Sequence, residues 1–187
     1  MLINVVFTVA LAAGVALVAM SLLTLAVPRF QFWPPPSAAS WQHTTLRVVF
    51  RLFVIGLIVL SVLTYNSQAS VWRHLIGVPL LATGFGFALH WTNFLGWRNA
   101  FGEARGLKTD GPYRWSRNPI YVVTFVGLIG WSIIVAAPEV TGLLLFWAGF
   151  YTLAPFVEEP WLERKYGDAF RTYKSRVPRF LAVSSRL

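Results

Sequence analysis

The sequence predicts an all-α integral membrane protein of about five transmembrane helices followed by a C-terminal interfacial amphipathic helix. Three observations predict it. Of 187 residues, 56% are hydrophobic and only 12% charged, and the mean hydropathy is +0.59, far from soluble averages. The apolar residues fall into five runs, each near the length needed to cross a bilayer. The bases fall almost entirely in alternate loops between those runs, as they do where positive charge is retained on one membrane face.

The first run, Leu2 to Val27, carries no charge and ends at Pro28 and Arg29. A secretory signal would need a basic leader and a shorter apolar stretch, so this is a span. The proline run Trp33-Pro34-Pro35-Pro36 then reads as an extended surface linker. The second span covers about Leu46 to Tyr65, the third about Leu75 to Gly96, the fourth Pro119 to Ala137 and the fifth Val140 to Val157. Only Ala136-Ala137-Pro138-Glu139 joins the last two, a tight hairpin that makes them antiparallel neighbours. From Pro160 to Val177 apolar residues recur near helical period among many bases, which suits a helix lying in the membrane interface. Pro160 can be its first residue, and Gly167 is a point where it can break. Residues 1–95 thus form a three-span region, and residues 96–187 a loop, a hairpin and a tail within the same membrane domain.

Five spans put Arg29, Arg47, Arg51, Arg98, Arg105, Lys108, Arg114, Arg117, Arg164, Lys165, Arg171, Lys174, Arg176, Arg179 and Arg186 on one side. Only Arg73 of the 16 bases falls on the other. The N-terminus is therefore expected outside and the tail in the cytoplasm. A net charge of +9 could suggest nucleic acid, but bases confined to loops between apolar spans fit membrane orientation instead. With no cysteine among the residues, thiol nucleophiles and Cys-ligated metals are excluded. His43, His74 and His90 lack ligand spacing, so no metal is expected.

The residues that promise chemistry are GPYRWSRNPIY, from Gly111 to Tyr121, and the pair Glu158 and Glu159. Pro119 suits the first turn of a helix. The hairpin goes out and back between the two halves, so they should meet at the inner membrane surface. Arg117 abuts a helix start that can bind anions, whereas Arg114 reads as a membrane-facing anchor. Capping of the tail helix and pairing with bases such as Arg164 is the other reading of the glutamates. Tyr113 and Tyr121 fit either interfacial aromatics or ligand contacts. His90 and Asn93 are expected to bond between helices, and Gly84 and Gly86 to permit close helix packing.

GPYRWSRNPIY followed by Glu158-Glu159, Leu162, Tyr166-Gly167, Phe170, Tyr173 and Val177-Pro178-Arg179 resembles the C-terminal region of the isoprenylcysteine carboxyl methyltransferase family, and of the broader membrane phospholipid methyltransferases. The similarity covers roughly the last 85 residues. It implies a membrane enzyme that binds S-adenosyl-L-methionine at the cytoplasmic face, in a pocket closed by the tail. Carried over by position, the cofactor would be held by Arg105, Gly106, Leu107, Lys108, Tyr113, Asn118, Pro119, Ile120, Tyr121 and Glu158, with Glu159 beside them. Glu158 and Arg117 are the candidate catalytic residues. The implied partners are membrane lipids and a hydrophobic or lipid-borne methyl acceptor; oligomeric state is not readable.

Two positions depart from the family pattern. Asn118 stands where the family has histidine, and it cannot exchange a proton. Leu153, Ala154, Pro155, Phe156 and Val157 fill the stretch where the prenylcysteine enzymes place an arginine associated with the acceptor carboxylate. The second departure bears on the acceptor rather than on the cofactor. Membrane sterol-type reductases that use NADPH share a similar C-terminal motif, and a non-catalytic scaffold or sensor could retain the same fold.

Overall fold

The structure, a computed structural model, describes residues 1–27, 30–66, 68 and 70–181. Pro28, Arg29 and Arg186 of the sequence reading lie outside the described residues. The described chain is all-helical, in the order α1 (Leu2–Ala26), α2 (Trp41–Thr64), α3 (Val71–Leu95), α4 (Trp97–Ala100), a 3-10 turn (Gly111–Arg114), α5 (Pro119–Val135) and α6 (Pro138–Arg176). Helices α1, α2, α3 and α6 are each long and apolar enough to cross a membrane. Helix α5 is also apolar but has only 17 residues.

Local chemistry sets the ends. Ser40 caps α2, its hydroxyl accepting the His43 amide at 3.3 Å, so α2 begins five residues before the apolar run does. Helix α5 ends at Ala136, in the left-handed region with φ 46°, and α6 starts at Pro138, whose missing N–H costs nothing in a first turn. Across that hairpin Ser132 and Thr141 share a hydroxyl hydrogen bond of 2.9 Å.

The core lies where α1, α2, α5 and α6 meet, around Leu17, Phe53, Leu57, Leu60, Val140 and Leu143. Trp147 sits at its centre, edge-on to Phe50 and Phe53. The most extensive partner of α5 is α3. A Cβ on Gly84 would stand 2.2 Å from the Gly127 amide nitrogen, so the backbones touch and neither position accepts a side chain. Gly86 meets nothing within 4 Å, so close packing accounts for Gly84 alone.

Three expectations need correction. The tail does not start a new helix at Pro160: α6 runs unbroken through Glu158, Glu159 and Pro160, and departs from helical geometry only at Gly167 (φ 53°, ψ −128°), a conformation that a side chain would oppose. The proline linker is not an exposed spacer, because Phe32, Trp33, Pro34 and Pro35 are buried. His90 is exposed, and Asn93 accepts from Trp97 Nε1 in the short α4 that follows, four positions on, rather than from another membrane-length helix.

Candidate functional site

Helix α6 carries Glu158 and Glu159 directly after its apolar stretch, and the two point to different partners. Glu158 Oε1 accepts the Tyr121 hydroxyl at 2.5 Å and the Trp33 indole N–H at 2.6 Å. Both donors use the same oxygen, and among the described residues nothing donates to Oε2. One oxygen of this carboxylate therefore stays available.

Glu159, with 6% of its side chain exposed, holds the tail. It accepts from Arg117 Nη2 at 2.8 Å and from Arg179 Nε and Nη2, each at 2.8 Å. Lys174 lies 3.9 Å away. Arg117 also donates to the carbonyls of Lys174 and Val177 at 2.8 and 3.0 Å, while its amide donates to Pro178 O at 2.9 Å. Asn118 occupies the N-cap position of α5 without capping it through its side chain, and donates through Nδ2 to Arg179 O at 2.9 Å. Tyr173 completes the clasp with a 2.7 Å bond from its hydroxyl to Tyr113 O. Arg164, the expected partner of the glutamates, takes no part in this network; Arg117 and Arg179 fill that role because the chain turns back after Arg176.

These elements enclose a cavity of about 440 Å³, within the range of small-molecule sites. Of the residues named from the sequence, Gly106, Leu107, Lys108, Tyr113, Arg117, Asn118, Ile120, Tyr121, Glu158 and Glu159 line it. Arg105 does not: its guanidinium is turned to Glu103 at 3.1 Å, while its amide donates to Asn99 Oδ1 at 2.8 Å. Pro119 is buried in the first turn of α5 and absent from the wall. Its contribution is to start the helix.

Sequence reasoning missed Trp33, Arg47, Arg51 and Tyr151, all of which line the cavity. Tyr151 packs on Tyr121 with ring centroids 4.5 Å apart. An indole beside a proline run was the one signal that the linker is pinned rather than free. Arg47 and Arg51 were legible only as membrane-orienting bases.

Electrostatics follows burial. Burial first, and then the nearby Glu158 charge, raise the Tyr113 hydroxyl well above the ordinary phenol range. Burial also raises Tyr173, against a smaller opposing effect of Arg117. Both hydroxyls therefore stay protonated, and that of Tyr173 is spent as a donor. Arg117 Nε is buried without a hydrogen-bond partner among the described residues, an unsatisfied donor in a residue that lines the cavity.

A sequence-family model described as phospholipid methyltransferase matches residues 72–169, just over half of the 187 residues. The match takes in α3, the loop, α5 and most of α6, and so includes both halves of the motif. No curated protein and no solved structure matches the chain significantly.

Proposed function

Because the chain belongs to the phospholipid methyltransferase family, we propose that it is an S-adenosylmethionine-dependent methyltransferase of the membrane, acting on a hydrophobic or lipid-borne acceptor. The observation that carries this is the convergence of residues 106–108, Tyr113, Asn118, Ile120, Tyr121 and Glu158 on one cavity. The fit to a cofactor is supported by the cavity volume, by the available oxygen of Glu158 and by the unpartnered Arg117 Nε.

When bound, S-adenosylmethionine supplies a methyl group made electrophilic by a sulfonium. Glu158, held by Tyr121 and Trp33, suits ribose hydroxyls or a cationic end of that cofactor. Lys108 and the N-terminal turn of α5 suit its carboxylate. Arg117 acts as a positioning residue, since its terminal nitrogens are committed to Glu159 and to two tail carbonyls. Asn118 ties the tail to α5 and cannot move a proton, so catalysis rests on placement and charge. The same proposal places the cavity at the cytoplasmic face, supported by the one-sided distribution of the bases.

Calorimetry of the purified chain tests it with S-adenosylhomocysteine and NADPH. The expected result is binding of the first alone, weakened about tenfold or more in Glu158→Gln, as for loss of a charged hydrogen bond. Tight NADPH binding without S-adenosylhomocysteine binding would sink the proposal in favour of a reductase; binding of neither would favour a scaffold.

A further inference from the structure

Arg47 and Arg51 stand one turn apart on α2 and line the same cavity as Glu158. Neither makes an ion pair or a hydrogen bond among the described residues. Among the described residues the Arg47 guanidinium lies over the Phe101 ring, 5.3 Å from its centroid. Of the cavity's other cations, Arg117 is committed to Glu159, and Lys108, which lies over the Phe94 ring much as Arg47 lies over Phe101, is the one assigned above to the cofactor's carboxylate.

Depth makes the pair unusual. After Arg51 the charge-free part of α2, residues 52–64, spans only about 20 Å at about 1.5 Å per residue, short of a hydrocarbon core of about 30 Å. Arg51 therefore sits on a crossing helix at a level where a bare guanidinium is costly unless it faces a polar cavity or a counter-ion. Arg51 lines the cavity while remaining exposed, and Arg47 beside it is half-buried. The residues before Glu158, 153–157, provide no base for an acceptor's anion, and α2 brings two bases to the cavity from another direction.

We infer that Arg47 and Arg51 form an anion-binding subsite for the methyl acceptor, selecting an amphiphile that carries a phosphate or carboxylate. This rests on the methyltransferase proposal and deepens it. Both arginines lie outside residues 72–169, so the subsite is a property of the N-terminal hairpin. Two guanidiniums one turn apart can grip a tetrahedral or planar anion from two directions.

The test uses the full chain in neutral detergent, with dodecyl phosphate as the probe and binding followed by the fluorescence of cavity tryptophans such as Trp33 and Trp97. Saturable binding is expected for the wild type, at least tenfold weaker in Arg47→Gln and in Arg51→Gln, and largely retained in Arg51→Lys. S-adenosylhomocysteine affinity should change less than twofold in all three. Unchanged dodecyl phosphate binding would overturn the inference and leave the pair as membrane anchors. A parallel loss of S-adenosylhomocysteine binding would overturn it by assigning the arginines to the cofactor's carboxylate. Displacement by inorganic phosphate at matching concentration would overturn it in favour of a free-anion site. Failure of the wild type to bind S-adenosylhomocysteine would count against the proposed function alone, because the dodecyl phosphate comparison reads the subsite directly.

Discussion

Replacing Glu159 by glutamine should release the tail without unfolding the helices. The glutamate accepts three bonds of 2.8 Å from two guanidiniums, and its side chain is only 6% exposed. Removing one partner of a buried ion pair costs about 3–5 kcal/mol, because the other charge stays desolvated. Two features put this site at the lower end. Arg117 keeps its bonds to two tail carbonyls, and Arg179 is 32% exposed, so water can rehydrate it. A loss of about 3 kcal/mol is roughly a hundredfold in the opening equilibrium of the tail. Hydrogen exchange of the Arg117 amide reads this directly, since its acceptor is Pro178 O in the tail. Its exchange should accelerate about a hundredfold, with amides of α1 and α3 unaffected. Acceleration below about threefold, or equal acceleration throughout the helices, would refute the reasoning. A double-mutant cycle with Arg179→Met should show non-additivity, as expected of groups in direct contact.

Phenylalanine at position 121 or 33 removes one of the two donors to Glu158 Oε1; each change should weaken S-adenosylhomocysteine binding about tenfold by calorimetry, roughly the worth of one charge-assisted bond. Gly84→Val must push α3 from α5, where a Cβ already lies 2.2 Å from the Gly127 nitrogen, and should lower stability by about 2 kcal/mol or more in detergent unfolding. A cytoplasm-dependent reporter fused after Leu187 should be active; activity of an extracytoplasmic reporter alone would refute the proposed orientation.

Hydropathy made most of the helices legible, because lipid exposure demands long apolar runs and intrahelical hydrogen bonding. The α1, α3 and α5 segments were recovered within a few residues at each end. The start of α2 was not, since Trp41 to Thr45 carry little hydropathy and the boundary is set by the Ser40 cap. The course of α6 through Pro160 was misjudged for a related reason. Proline forfeits a single helical bond, and packing of the same helix against the core and the motif outweighs it. In the site, the residues joined by the hairpin were legible because chain direction alone brings position 121 to position 158. Trp33, Arg47 and Arg51 were not, because they arrive from elements whose packing no periodicity encodes. Arg105 was placed by alignment to a pattern, and its pairing with Glu103 is a local preference that such a pattern does not carry.

The indole of Trp33 reaches Glu158 across 125 positions of sequence, from a segment that the family match at residues 72–169 leaves out. The matched region therefore does not build the whole cavity. Trp33, Arg47 and Arg51 line the cavity from positions outside that match, so one wall of it comes from the N-terminal hairpin. Under the proposed function, exchanging residues 1–66 for those of another family member should change acceptor preference, provided the incoming hairpin brings its own donor to Glu158.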